Sequence, residues 1–133
     1  MRWLRWIVGI AVMVALMWVG YWAVAIHLLN RALSDCSNAI LSEVMSPDEL
    51  YIATAFERSC GATTPFVRIV SIRPAGKAFD SEDRDRYVFV IEGQPNTRLA
   101  WTAPQYLRVS YSGGGGRINR QVVNWYGISV SYE

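Results

Sequence analysis

Two cysteines, Cys36 and Cys60, are the residue pair in this chain best suited to covalent chemistry. Both follow a long apolar run near the amino terminus, and a pair exported to an oxidising compartment is normally bridged. Closing the loop of about 25 residues between them would stabilise the folded state by about 3.5 kcal/mol. No Cys-x-x-Cys occurs, which argues against a redox site. We predict a structural disulfide, with two separate thiols as the alternative.

The segment after Cys60 offers groups that could bind a ligand. Gly61 allows close backbone approach, and Thr63 and Thr64 add hydroxyls and amides. This loop is a candidate site for a small anion, a peptide or a partner protein. The competing interpretation, which we favour, is a loop pinned by the disulfide, whose threonines satisfy their own backbone as they commonly do in turns.

Catalytic machinery is sparse in this sequence. The only histidine, His27, lies inside the apolar run, so a Ser–His or Cys–His nucleophile cannot be assembled in the remainder of the chain. Two-carboxylate chemistry stays open, since Glu43, Glu57 and Glu92 fall on predicted strands. The pattern does not single out two of them. We therefore expect a protein that is not an enzyme, with a carboxylate-dependent hydrolase as the alternative.

Two further segments resemble ligand loops only superficially. The acidic stretch around Asp80, Glu82, Asp83 and Asp85 lacks the glycine and the closing glutamate of an EF-type calcium loop. The four glycines at 113–116 lack the Lys-Ser/Thr ending of a phosphate-binding loop. We predict a solvated loop and a mobile hairpin loop, with no metal and no cofactor.

The apolar run near the amino terminus determines where in the cell these candidate residues lie. Residues 6–29 are 24 residues without a charged side chain, about 36 Å as a helix against about 30 Å of hydrocarbon. We therefore predict a single transmembrane helix within residues 1–31. Its amino terminus should face the cytoplasm, because Arg2 and Arg5 precede the run. Residues 32–133 would then form a domain in the periplasm or outside the cell, held by the inner membrane.

Two other interpretations of the amino terminus compete with a retained anchor. A cleaved signal peptide fits the basic start and the small residues Ala23 and Ala25, although the run is about twice the usual length. A lipoprotein signal is imitated by Leu33-Ser34-Asp35-Cys36, but Asp35 is not the small residue expected before a lipidated cysteine.

The remainder of the chain has the pattern of an all-β domain. Ser46-Pro47-Asp48-Glu49 is a turn signal between two strand-like segments, which predicts a hairpin. Short strand signals recur every 8–15 residues, and we expect about seven antiparallel strands in a sandwich or a curled sheet. We predict these strands at residues 38–45, 51–58, 66–73, 87–92, 97–102, 106–111 and 122–132, with a bulge at Gly127 and a charged loop at 74–86.

The segment Cys60-Gly61-Ala62-Thr63-Thr64-Pro65-Phe66, with Ser46-Pro47-Asp48 and Cys36 before it, resembles a family of small exported bacterial proteins. Its members carry an amino-terminal membrane segment or a lipoprotein signal, share the signature Cys-Gly-Ala-Thr-Thr-x-Phe, and have no assigned activity. The resemblance covers residues 36–72 best and implies that Cys36 pairs with Cys60. One departure is Glu49, where the family usually has glycine, and this departure leaves the turn type open.

The net charge of the predicted β domain limits the classes of molecule that it could bind. Removing Arg2 and Arg5 from the 13 basic residues leaves eleven basic and eleven acidic residues from position 30 onward. A neutral domain argues against nucleic acid, which selects a one-signed surface. We expect the domain to bind or support another envelope protein, through surface-capable aromatics such as Trp101, Tyr106, Trp125 and Tyr126. A periplasmic immunity protein that neutralises a toxin is the alternative.

Overall fold

The computed structural model describes residues 2–34, 36–61 and 63–133, with the side chains of residues 3, 5–30, 36–61 and 63–133. Asp35 of the lipoprotein-like segment and Ala62 of the signature lie outside the described residues. The chain divides into two compact units, Met1–Asp35 and Cys36–Glu133. The boundary lies four residues beyond the predicted one, because the helix continues past the apolar run.

The first unit is one helix, α1, which runs over Arg2–Ser34. Its segment Arg5–Asn30 is 26 residues long and apolar enough to cross a membrane. The large apolar side chains described along it are exposed, from Trp22 at 51% to Trp3 at 83%. Apolar side chains exposed on all sides of a helix are typical of a segment surrounded by lipid. The apolar helix is therefore consistent with a membrane anchor.

The second unit contains nine strands within the described residues, and the predicted helix followed by an all-β domain is confirmed. Two more strands are present than the sequence pattern indicated. The strands are β1 (Ser37–Met45), β2 (Tyr51–Ser59), β3 (Val67–Pro74), β4 (Tyr87–Gly93), β5 (Asn96–Ala103), β6 (Tyr106–Ser112), β7 (Gly115–Gln121), β8 (Asn124–Trp125) and β9 (Ile128–Tyr132).

Two sheets enclose the core. Sheet A has the order β1-β2-β3-β4-β7, and sheet B has the order β5-β6-β9-β8. Phe89 of sheet A lies at the centre of the core, with its ring 4.9 Å from that of Tyr111 and 5.2 Å from that of Tyr132. Buried residues of both sheets surround it, so the arrangement is a sandwich: Ala53, Ala55, Val70, Ile72, Val88, Ile91, Leu107, Val109, Trp125, Ile128 and Val130.

One strand pair departs from the antiparallel pattern that we predicted. β6 and β9 are parallel, with Leu107 opposite Val130. The reason is the route of the chain, which leaves sheet B after β6, forms β7 in sheet A and returns through β8. All the other strand pairs of the described residues are antiparallel.

The hairpin predicted around Ser46-Pro47-Asp48-Glu49 is present as β1 and β2. The Ser46 amide donates to the Tyr51 carbonyl at 2.8 Å, and the Ser46 hydroxyl donates to Asp48 Oδ1 at 2.6 Å. Glu49 adopts a left-handed backbone, with φ 60°. That conformation is the one that glycine occupies without steric cost.

The segment at residues 122–132 is not the single strand that we predicted. Tyr126 and Gly127 both have positive φ, 45° and 87°, and they form the two-residue turn between β8 and β9. Two successive left-handed residues are the mark of a type I′ hairpin, whose usual sequence is Asn-Gly. The turn was not predicted because Tyr126-Gly127 is an unusual sequence for it and because the residues around it alternate as in a strand.

The glycine-rich segment also differs from the prediction. Gly115 and Gly116 begin β7, an edge strand paired with β4, rather than belonging to a free hairpin loop. A side chain at Gly93 would overlap the Gly114 carbonyl oxygen, so this close approach of two backbones requires glycine. β7 was missed because Ile118 is its only large apolar residue.

The charged loop of residues 75–86 is anchored to the outer face of sheet A rather than free in solvent. Phe79 packs edge-on against Phe56 at 5.1 Å, within an outer cluster that includes Ile69 and Tyr87. The Tyr87 hydroxyl donates to the Ser81 carbonyl, and Asn38 donates to the Ser81 hydroxyl at 3.1 Å. The predicted loop is thus present, but its apolar residue and its backbone carbonyls hold it in a defined position.

Candidate functional site

The predicted disulfide between Cys36 and Cys60 is present. Cys36 directly precedes β1 and Cys60 directly follows β2, next to the strand pair Ser37–Ser59. The bond therefore closes the open end of the β1–β2 hairpin, while the turn at 46–50 closes the other end. It ties an edge strand to the body of sheet A.

The loop after Cys60 is largely satisfied by its own backbone. Gly61 has φ 103°, and its carbonyl accepts the Thr64 amide at 3.3 Å and the Thr64 hydroxyl at 3.1 Å. Thr63 is exposed. This geometry is the self-contained turn of the competing interpretation, and ligand binding by Gly61, Thr63 and Thr64 stays a prediction.

A groove of about 380 Å³ lies beside the disulfide on the outer face of sheet A. Its floor crosses three strands, because Arg58 pairs with Val67, and Ile69 pairs with Val90. We call it the basic groove, since arginines from three separate parts of the chain line it. Its lining residues are Cys36, Arg58, Cys60, Val67, Ile69, Arg84, Tyr87, Val90, Asn119 and Arg120.

The three arginines of the basic groove differ in their partners. Arg58 is largely buried, with a side chain 14% exposed, and it pairs with Glu82 at 2.6 Å. The hydrogen bond that Arg58 donates to Glu82 raises the pKa of Arg58. Arg84 and Arg120 are exposed and form no salt bridge within the described part of the chain. Two positive charges of the groove are therefore left without a carboxylate.

Tyr87 forms one wall of the basic groove. Burial raises the pKa of its hydroxyl, and the nearby Arg58 acts in the opposite direction. Arg58 Nη1 lies 3.4 Å from the Tyr87 oxygen, while that hydroxyl donates to the Ser81 carbonyl. The wall is thus a neutral phenol, fixed in place by its two partners.

Sequence reasoning did not find the basic groove. Its arginines are far apart in the chain, at positions 58, 84 and 120, and the first two stand beside acidic residues in the sequence. A neutral domain composition conceals a local excess of charge. The strand register and the docked loop bring the three side chains to one place, and no local motif records either feature.

The three glutamates considered for two-carboxylate chemistry each lie against an arginine. Glu43 pairs with Arg73 at 3.0 Å and Glu57 pairs with Arg68 at 3.0 Å. Glu92 accepts from Arg117 at 3.1 Å. Hydrogen bonds from Asn119 and Arg117 lower the pKa of Glu92, whereas a general acid needs a raised one.

Two of the acidic loop residues are likewise paired with arginines. Glu82 binds Arg58, and Asp83 accepts from Arg86 Nε at 2.7 Å. Among the described residues, no cluster of three or more His, Cys, Asp or Glu side chains could hold a metal ion.

The four aromatics proposed for partner binding separate into two groups. Trp101 and Trp125 contribute to the core, and their indole nitrogens donate to the Val44 carbonyl at 2.9 Å and to the Asp85 carbonyl at 3.0 Å. Tyr106 is 56% exposed and Tyr126 is 82% exposed. Only the two tyrosines are available to a partner.

Tyr106 and Tyr126 lie at the same end of sheet B. Tyr106 is opposite Ser129 on β9, and Ser129 is opposite Asn124 on β8, two residues before the turn at Tyr126. Adjacent strands are about 4.8 Å apart, so the two tyrosines are separated by roughly 10 Å of sheet surface. We call Tyr106 and Tyr126 the aromatic end.

Comparison of the chain with protein-family models, curated proteins and solved structures finds no match. The resemblance carried by residues 60–66 therefore stays a prediction.

Proposed function

We propose that this chain is a single-pass membrane protein whose β-sandwich binds or supports another envelope protein without catalysing a reaction. In this proposal the amino terminus faces the cytoplasm, and residues 36–133 lie in the periplasm or outside the cell. The apolar helix α1 and the preceding Arg2 and Arg5 support the orientation. The Cys36–Cys60 bond supports an oxidising compartment.

The observation that carries the binding proposal is the exposure of Tyr126. A bulky residue at φ 45° is strained, and such strain is concentrated at functional sites. Tyrosine rings that are held rigidly and exposed are among the commonest anchors of protein interfaces. Tyr106, 56% exposed, adds a second ring at the same end of sheet B. A residue that packs in the core is buried, whereas Tyr126 is 82% exposed.

The test compares co-purification from native membranes in a mild neutral detergent. The full chain carries a tag, and its variants are Y106T/Y126N and, as a matched exposed aromatic on another surface, F66A. Asn is the preferred residue at the first position of a type I′ turn, so Y126N removes the ring without breaking the hairpin.

We expect wild type and F66A to recover the same stoichiometric partner. Y106T/Y126N should recover at least tenfold less, corresponding to about 1.4 kcal/mol of lost binding energy. A wild-type preparation that returns no partner contradicts the proposal. So does equal recovery with Y106T/Y126N.

The orientation is tested separately. A carboxyl-terminal reporter that is active only outside the cytosol should be active, and alkaline carbonate should leave the chain in the membrane. A reporter that is active only in the cytosol would refute the proposed topology.

A further inference from the structure

We infer that the basic groove is a binding site for a phosphate ester carried on a short apolar body. This inference does not depend on the aromatic end, which belongs to sheet B, whereas the groove belongs to sheet A. The phosphate belongs either to a soluble ester or to a lipid headgroup. Both have the same charged group joined to an apolar portion.

The charges of the groove select an anion. Arg58, Arg84 and Arg120 line one cavity, and Glu82 neutralises only the first. Guanidinium groups bind phosphate oxygens through paired hydrogen bonds and cannot lose their charge. A phosphate monoester carries more than one negative charge near pH 7. It therefore balances two uncompensated arginines better than a ligand with a single carboxylate would.

The floor of the groove selects an apolar substituent next to the anion. Ile69 is 3% exposed, and Val67 and Val90 are half-buried beside it. A bare inorganic ion would leave the exposed parts of Val67 and Val90 in contact with water. A volume of about 380 Å³ falls at the small end of the range for low-molecular-weight ligands.

The walls of the groove are held before any ligand arrives. The disulfide fixes one side through Cys36 and Cys60. Tyr87 and Asn38 hydrogen-bond to Ser81 and hold the loop that carries Arg84. A site whose walls are already ordered loses less conformational entropy on binding.

The experiment titrates the full chain, in micelles of a neutral detergent, with hexyl phosphate by calorimetry. Inorganic phosphate and hexanoate are titrated in parallel. The variant is R84Q/R120Q, and the matched control R98Q/R108Q removes the same charge from exposed arginines of sheet B. Native mass spectrometry with added phosphatidic acid, against diacylglycerol, forms the lipid arm. Thermal unfolding verifies that each variant is folded.

We expect wild type and R98Q/R108Q to bind hexyl phosphate within twofold of each other, and R84Q/R120Q to bind it at least tenfold more weakly. Hexyl phosphate should bind at least fivefold more tightly than inorganic phosphate and hexanoate. If phosphatidic acid binds tightly and hexyl phosphate does not, the site is supported and its phosphate belongs to a lipid headgroup. If hexyl phosphate binds and phosphatidic acid does not, the phosphate belongs to a soluble ester.

Failure of both phosphate probes overturns the inference. Equal weakening by the control shows non-specific charge attraction and also overturns it. Hexanoate binding as tight as hexyl phosphate overturns the choice of phosphate. None of these results bears on recovery of a partner by the aromatic end, so the two proposals fail separately.

Discussion

Replacing both cysteines with serine, C36S/C60S, should lower the free energy of unfolding of the β domain by about 3.5 kcal/mol. The two residues are 24 apart in the sequence, and a bridge across a loop of that length restricts the unfolded chain by about this amount at 25 °C. For a domain of roughly 100 residues the loss corresponds to a melting temperature lower by about 15–25 °C.

The structure indicates which part of the domain separates first. The bond fixes the open end of the hairpin formed by β1, an edge strand with β2 as its one partner in sheet A. On its other side β1 is held to sheet B by the indole of Trp101, which donates to the Val44 carbonyl. Trp101 fluorescence therefore reports detachment of β1.

The assay is urea unfolding of the full chain in neutral detergent micelles, followed by tryptophan fluorescence with W101F subtracted as background. Oxidised wild type, wild type with a reductant, and C36S/C60S are compared. The matched control is S37A/S59A, which alters the neighbouring strand pair but keeps the bond. We expect this control to stay within about 0.5 kcal/mol of wild type.

Reduced wild type and C36S/C60S should unfold at the same urea concentration. A loss below about 1 kcal/mol in both would refute the chain-entropy argument for this bond. A loss of 3 kcal/mol or more in S37A/S59A would refute it as well, because strand pairing rather than the bond would then carry the stability.

Three further predictions concern stability, each measured by denaturant unfolding of the full chain. E49G should stabilise the domain by about 0.5–1 kcal/mol, since Glu49 has φ 60°; an unchanged or lower midpoint would contradict this. R73M should cost about 2–4 kcal/mol, because Arg73 is 8% exposed and donates to Thr54 and to the Lys77 carbonyl; a cost below 1 kcal/mol would show these bonds to be replaceable. Burial raises the pKa of Tyr132 to about 12, above its unfolded value near 10, so the folded state holds the proton more tightly. The resulting stabilisation, about 1–2 kcal/mol after allowance for partial exposure, is complete below pH 10 and is lost as pH rises from 10 to 12. Y132F should flatten that alkaline decline, and a decline unchanged in Y132F would assign it to other groups.

Features that depend on neighbouring residues were predictable from the sequence. The apolar run predicts α1, because a segment without charge and more than 20 residues long needs no tertiary partner to indicate a helix. The β1–β2 hairpin follows from the turn residues at 46–49, which lie between two strand-like segments. The disulfide follows from two cysteines in a domain that export would expose to oxidation.

Features that depend on distant segments required the tertiary structure. The basic groove exists because strand register brings Arg120 next to Val90, and because the loop carrying Arg84 docks on sheet A. The separation of Trp101 and Trp125, which pack in the core, from the exposed tyrosines also depends on how the two sheets face each other. Local sequence patterns encode the conformation of a segment and its apolar face. Which faces meet is decided by packing across the whole domain, and residues far apart in the chain carry no local record of it.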